Sequence, residues 1–282
     1  MLMWFILLII LILLALLLYW TLVIAEGSYL GARFVAWLYD LTAKKYDGIK
    51  KFSKDDEETF LGVPLWRTIQ PVRRPLVLDV ATGTARLPLV LLSRLLFDGR
   101  IIALDLSLKM LRQACEKLAS YDERVTFIHQ DAMQLPFPDE TFDALTCLEA
   151  LEFLPSPKRA LEEMLRVLRP GGVLLTTNRI GWEAKLLPGK ALAPTQLRAI
   201  LNELPLQAIE VRRWQVFYDQ VWARKEGLTP AKGNGDLDLS EILRCPNCLD
   251  THLEKSAVLL RCPRCARAYP IENGIILLSK GR

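Results

Sequence analysis

Hydrophobic residues fall in this chain first into one unbroken run and then into short bursts at a repeating spacing. Residues 1–25 contain no charged side chain. At about 1.5 Å per residue, a helix of that length reaches roughly 37 Å, enough to cross the roughly 30 Å hydrocarbon core of a bilayer. Residues 31–52 carry apolar side chains at Phe34, Leu38, Leu41, Ile49 and Phe52, a broadly helical spacing. Such a helix either lies among lipid headgroups or packs only on its own domain. The charge run Lys54-Asp55-Asp56-Glu57-Glu58 predicts a solvated loop.

From Pro75 a β/α alternation begins. Short apolar runs at 76–80, 100–105, 125–128, 142–147 and 173–177 read as strands. Helical stretches at 87–96, 107–118 and 157–168 separate them, with Ser107 placed to cap the second. The third stops at the breaker Arg169-Pro170-Gly171-Gly172. A further helix spans 195–204, and the runs 207–214 and 215–225 can pair antiparallel. The pattern predicts an α/β protein with a doubly wound sheet of five parallel strands plus a C-terminal antiparallel hairpin. Residues 227–240, rich in Gly, Pro and Asp without apolar periodicity, read as a linker.

The flanks of the first run refine its meaning. Val23-Ile24-Ala25 resembles a signal-peptide cleavage site, but such a peptide needs a basic start and an apolar core of about 7–15 residues. Neither holds here, so a retained, single-pass transmembrane helix is expected, with the bilayer as a partner. Lys and Arg are absent before it, whereas Arg33, Lys44, Lys45, Lys50 and Lys51 follow, which predicts that the C-terminal side is cytoplasmic. The net charge of +4 is mild and shows no nucleic-acid bias. Nothing in the pattern sets an oligomeric state.

Of six cysteines, Cys115 and Cys147 stand alone in apolar segments and read as buried thiols. The other four form Cys245-Pro246-Asn247-Cys248 and Cys262-Pro263-Arg264-Cys265, separated by 13 residues. Two such knuckles supply four thiolates to one tetrahedral Zn2+, which predicts a structural metal site. The expected units are a 1–27 anchor, a 28–70 amphipathic helix and lid or linker, a 71–226 α/β domain, a 227–240 linker and a 241–282 zinc ribbon.

The turn after the first strand, Asp79-Val80-Ala81-Thr82-Gly83-Thr84-Ala85-Arg86, carries the chemistry. Small residues at 81, 83 and 85 let the backbone pass close to a ligand beyond the strand ends. Asp105, 26 positions after Asp79, ends the second strand, where a carboxylate accepts from both hydroxyls of a ribose. A dinucleotide fingerprint fails at two of its three glycines, with Ala81 and Arg86 in their places, and no P-loop follows.

This series resembles the class I S-adenosylmethionine-dependent methyltransferases, in particular the subgroup that includes the quinone-biosynthesis enzymes. The resemblance covers roughly residues 75–225. It is carried by Val77-Leu78-Asp79-Val80-Ala81-Thr82-Gly83-Thr84, Leu104-Asp105-Leu106-Ser107 with Met110-Leu111, and Gln130-Asp131-Ala132-Met133-Gln134-Leu135-Pro136-Phe137-Pro138-Asp139. Phe142-Asp143 and Leu168-Arg169-Pro170-Gly171-Gly172 complete it. It implies a Rossmann-like fold and S-adenosylmethionine as cofactor. Asp79 with Ala81, Thr82, Gly83 and Thr84 would hold the methionine end, and Asp105 the ribose. Asp131 and the Ala132 amide would read the adenine, flanked by Leu106 and Met110. Alanine at 81 and 85 departs from the family's usual glycine, which implies altered loop packing.

Candidates near the reacting methyl are Glu149 and Glu152, past the fourth strand, and Asn178 and Arg179, past the fifth; each glutamate is also a plausible helix-entry charge. His129 either reaches the site or points into the core. Residues 243–278 resemble the small zinc-ribbon activators of tRNA and translation-factor methyltransferases, which implies docking more than catalysis. Three functions stand at this point: methyl transfer to a small lipophilic or membrane-associated acceptor, methylation of RNA or protein, and non-catalytic scaffolding.

Overall fold

A computed structural model describes residues 1–50, 53–249, 252–256 and 258–280. Lys51 and Phe52, the expected end of the 31–52 helix, lie outside the described residues, as do 250, 251, 257, 281 and 282 of the 241–282 segment.

Among the described residues, eleven strands form one mixed sheet. They are β1 (Leu76–Val80), β2 (Arg100–Asp105), β3 (Val125–His129), β4 (Phe142–Cys147), β5 (Leu168–Arg179), β6 (Leu206–Arg213), β7 (Tyr218–Lys225), β8 (Glu254–Lys255), β9 (Leu259–Arg261), β10 (Ala268–Glu272) and β11 (Ile275–Leu277). Their order is β6-β7-β5-β4-β1-β2-β3-β11-β10-β9-β8. The five expected strands pair in parallel, and β6 and β7 form the expected antiparallel hairpin against β5. β1 is buried at every position, because helices cover both faces of a parallel sheet. The chain runs from β1 outward through β2 to β3 and returns to β4 on the other side of β1. That reversal opens a crevice beyond the carboxyl ends of β1 and β4.

The helices follow the sequence closely where caps mark them. Ser107 Oγ accepts from the Met110 amide at 3.2 Å and starts the Leu108–Lys117 helix. Ser156 does the same for the Pro157–Val167 helix. The Arg86–Leu92 helix stops short of the expected 96, leaving Leu95 and Leu96 exposed. The Arg-Pro-Gly-Gly breaker ends its helix, but β5 begins at once and runs through it. Gly171, at φ +72°, is needed there because a Cβ would come within 2.4 Å of the Leu228 backbone.

Three expectations are corrected. First, the 54–58 charge run is not a solvated loop. It forms the Lys54–Glu57 helix and a π-helical turn, and buried Glu57 meets Arg86 Nε at 3.1 Å. Second, the 227–240 segment does not behave as a flexible linker. It straps the N-terminal ends of the strands through Gly233 N to Arg73 O (2.8 Å), Asn234 N to Asp143 Oδ2 (2.9 Å) and Arg100 Nη1 to Leu237 O (2.7 Å). Buried Asp143 anchors it, accepting also from Leu76 N and Arg169. Third, the segment expected to form a zinc ribbon is not a separate body. β11 lies parallel to β3, pairing Ile275 with Phe127 and Leu277 with His129. Cys245, Leu260, Cys262 and Tyr269 belong to the same apolar core as Leu78 and Ile128.

The N-terminal run forms the Leu2–Tyr19 helix and a π-helical turn, Trp20–Ile24. This span is long and apolar enough to cross a membrane, and none of it is buried. Its base is tied to the domain by Trp20 Nε1 to Leu186 O (3.1 Å) and by Tyr29, stacked on Trp20, to Pro188 O (2.9 Å). The Ala32–Thr42 helix then packs on the domain, where Asp40 accepts from Ser107 Oγ and the Lys109 amide. It keeps Trp37 and Leu41 exposed on its outer side.

Candidate active site

The turn after β1 enters the left-handed region at Ala81 (φ 54°), Gly83 (φ 57°) and Ala85 (φ 60°). For alanine such a conformation costs about 1–2 kcal/mol per residue, so the surrounding contacts must hold it. They do. The Gly83 amide donates to Asp105 Oδ2 at 2.8 Å, and the Ser107 amide to Asp105 Oδ1 at 2.7 Å. Asp79 is clamped between the Thr82 and Thr146 hydroxyls, at 2.6 and 2.5 Å. Burial pushes its carboxyl up to about 6, against the opposing pull of those two hydroxyls.

All ten expected cofactor residues line two adjoining hollows. Ala81, Gly83, Asp105, Leu106, Met110, Asp131 and Ala132 line one, of about 120 Å³. Asp79, Ala81, Thr82, Gly83 and Thr84 line the other, of about 50 Å³. Ala81, Gly83, Tyr46, Leu148 and Glu149 belong to both, so the two are continuous. The donor set fits an S-adenosyl group: carboxylates where the ribose and adenine are expected, apolar walls around them, and a buried acid at the narrow end. The roof comes from the expected 28–70 lid, whose lining residues the pattern did not name. Val35, Tyr39 and Tyr46 from the N-terminal segment close the crevice, and Asp47 bonds Thr84 Oγ1 at 2.6 Å.

A third hollow of about 480 Å³ adjoins the crevice through Glu149. Phe60, Trp214, Phe217 and Tyr218 give it aromatic walls, with Glu26, Lys50, Arg179 and Glu183 as charged ones. Burial raises the Glu149 carboxyl, but Arg86 (2.9 Å) and Lys50 (3.4 Å) outweigh it and hold the group below its ordinary value. Glu149 is therefore a fixed anion at the junction, poorly suited to take a proton. Glu152 is 1% exposed and does not line the hollow; it accepts from the Tyr218 hydroxyl, and burial raises its carboxyl. Asn178 lines neither crevice nor hollow. Its amide donates to Leu192 O at 2.9 Å, a structural contact in place of the expected place beside the methyl. His129 faces neither. It bonds Leu106 O at 2.9 Å and Ser279.

Arg86 and Tyr218 were missed as site residues. Arg86 had a signal: it stands where a dinucleotide loop needs glycine. Tyr218 had none, because strand alternation does not say which face meets a hollow.

The Sγ atoms of Cys245, Cys248, Cys262 and Cys265 lie within 4.8 Å of one another, two of them buried. Four convergent thiols with no carboxylate or water position suit a closed zinc site. The Tyr269 hydroxyl sits 3.1 Å from Cys245 Sγ. Cys147 is buried as expected, whereas Cys115 is only half-buried, against Asn273 O at the join with the ribbon.

Residues 78–176 match the family model described as a methyltransferase domain. A demethylmenaquinone methyltransferase of Clavibacter sepedonicus is 34% identical over 138 residues, 49% of this chain and 55% of that protein. One of Porphyromonas gingivalis is 40% identical over 111 residues, 39% and 45% of the two. The chain thus spans about half the length of the curated relatives it matches. Among solved structures, a SAM dependent methyltransferase from Aquifex aeolicus superposes with a TM-score of 0.51 at 21% identity, over 66% of this chain and 98% of that one. The [4+2]-cyclase SpnF gives 0.57 at 20% identity, over 70% and 97%. Since one of these is named a cyclase, fold alone does not fix the reaction. Residues 78–176 thus match a methyltransferase-domain model, and the Rossmann-like fold around them is shared with a solved SAM dependent methyltransferase.

Proposed function

We propose that this chain transfers a methyl group from S-adenosylmethionine to a small lipophilic acceptor, held at a membrane by its N-terminal helix. The observation that carries the reading is the continuity, through Glu149, of the cofactor crevice with an aromatic-walled hollow. S-adenosylmethionine supplies an already activated methyl, so positioning supplies most of the acceleration. Asp105 holds the ribose, Asp131 the adenine amino group, and Asp79 the methionine end. The acceptor enters the hollow whose walls include Glu26, beside the base of the membrane helix, so tethering raises its effective concentration. The basic residues after the helix favour a cytoplasmic domain.

Because the curated relatives are named for demethylmenaquinone, the reduced form of that quinone is the acceptor to test first. Full-length protein in lipid nanodiscs, given methyl-labelled S-adenosylmethionine and demethylmenaquinol, should place label in the organic phase. Label recovered only in added RNA or protein would reject the acceptor class. The zinc ribbon favours a structural role here, since its last strand is used in the sheet edge.

A pH dependence follows from Asp79. Its carboxyl ionises near 6, far above the ordinary 3.8, because it is buried. The raised value means the unliganded fold is favoured below 3.8 and loses that advantage as pH rises through 6. The positively charged cofactor prefers the ionised form, so its affinity should climb between about pH 5 and 7 and then level off. Calorimetry across that range, with Asp79→Asn as reference, checks it; a flat profile for the parent would reject the role.

A further inference from the structure

Arg179 ends β5 with its side chain 9% exposed. Nη2 donates to Glu183 at 2.6 Å. Nε and Nη1 make no hydrogen bond among the described residues, although Nη1 has Glu26 at 3.7 Å and Glu152 at 3.9 Å. Buried guanidinium N–H groups left this way cost stability unless something else accepts from them. Both Arg179 and Tyr218 form part of the wall of the aromatic hollow. The Tyr218 hydrogen is committed to Glu152, which leaves its oxygen as an acceptor.

We infer that Arg179 and Tyr218 form a subsite for the neutral hydroxyl of an aromatic acceptor of the phenol or hydroquinone class. The inference rests on the acceptor-hollow reading above and gives it a chemical identity. A hydroxyl meets both demands at once: its oxygen accepts from Arg179, and its hydrogen goes to the Tyr218 oxygen. A carboxylate or a fully ionised phosphate meets only the first demand, having no hydrogen for Tyr218. It would also face Glu26 and Glu183 across one guanidinium, an excess of negative charge even without counting Glu152. Phe60, Trp214 and Phe217 supply flat apolar surface for a ring, as a planar acceptor requires.

Three small probes separate the alternatives: 4-cyanophenol, benzonitrile and 4-cyanobenzoate, titrated by ligand-observed NMR into the full-length protein saturated with S-adenosylhomocysteine. The phenol should bind about tenfold or more tightly than benzonitrile, as one hydrogen bond to a buried charge implies. The benzoate should bind more weakly than the phenol. Arg179→Lys and Tyr218→Phe should each erase most of the phenol's advantage while leaving S-adenosylhomocysteine affinity intact, which also reports that the variants are folded. A phenol bound no better than benzonitrile, a benzoate bound as tightly as the phenol, or an advantage unchanged in folded variants overturns the subsite. Hydroxyl-dependent binding without any methyl transfer would leave the subsite standing and reject the proposed reaction. Methyl transfer without it would do the reverse.

Discussion

Replacing Cys245 with serine, or stripping zinc with a strong chelator, should unfold the C-terminal ribbon and uncover the β3 edge of the sheet. The ribbon's strands are short, and although part of it packs into the main core, zinc at the four cysteines would supply much of its stability; comparable structural sites contribute about 10–16 kcal/mol. The effect should not stop at the ribbon. β11 pairs with β3 up to His129, which also bonds Ser279 and the Leu106 carbonyl beside the proposed adenine pocket. Loss of the ribbon should therefore weaken S-adenosylmethionine binding as well, by about tenfold if one or two supporting hydrogen bonds go. Limited proteolysis with mass spectrometry, zinc release on denaturation and calorimetry of the cofactor read the three effects. Protein that purifies without zinc and still protects residues 245–277 would reject the metal's role.

The second large effect belongs to Asp105→Ala, which should lower S-adenosylmethionine affinity by about 100-fold. Two hydrogen bonds from ribose hydroxyls to a carboxylate are worth roughly 3 kcal/mol together, enough for two decades. The same substitution takes away the acceptor for the Gly83 and Ser107 amides, so the strained turn at Ala81 and Ala85 also loosens. Asp105→Asn keeps one acceptor oxygen and should fall between. Equal calorimetric affinities for parent and Asp105→Ala would mean the ribose contact is misassigned.

The parallel core was legible because each of its strands is a predominantly apolar run and two of its helix starts carry serine caps. The cofactor residues were legible for a related reason: they sit on turns whose positions follow from strand ends. What escaped the pattern depends on partners distant in sequence. Residues 227–240 show no periodicity because backbone groups and Asp143 hold them, not an apolar face. Glu57 looks solvated until Arg86 is brought against it, since a charge run does not name its counter-ion. The run Ile275-Ile276-Leu277 is too short to announce a strand, and its partner lies in another part of the chain. Asn178 failed for a subtler reason. A residue just past a strand end can face either side, and here it faces the 181–194 segment.

That last strand also sets a schedule for synthesis. β3 emerges from the ribosome about 150 residues ahead of β11, and translation at about 5–20 residues per second makes that interval roughly 7–30 s. Throughout it, the backbone groups of Val125–His129 stand as an open edge able to recruit a neighbouring nascent chain. Slow decoding near the C-terminus, or a nonsense codon before Ile275, would prolong the hazard without altering one residue of the cofactor crevice. Yield of soluble protein should then track the completeness of the tail more closely than the integrity of the active site.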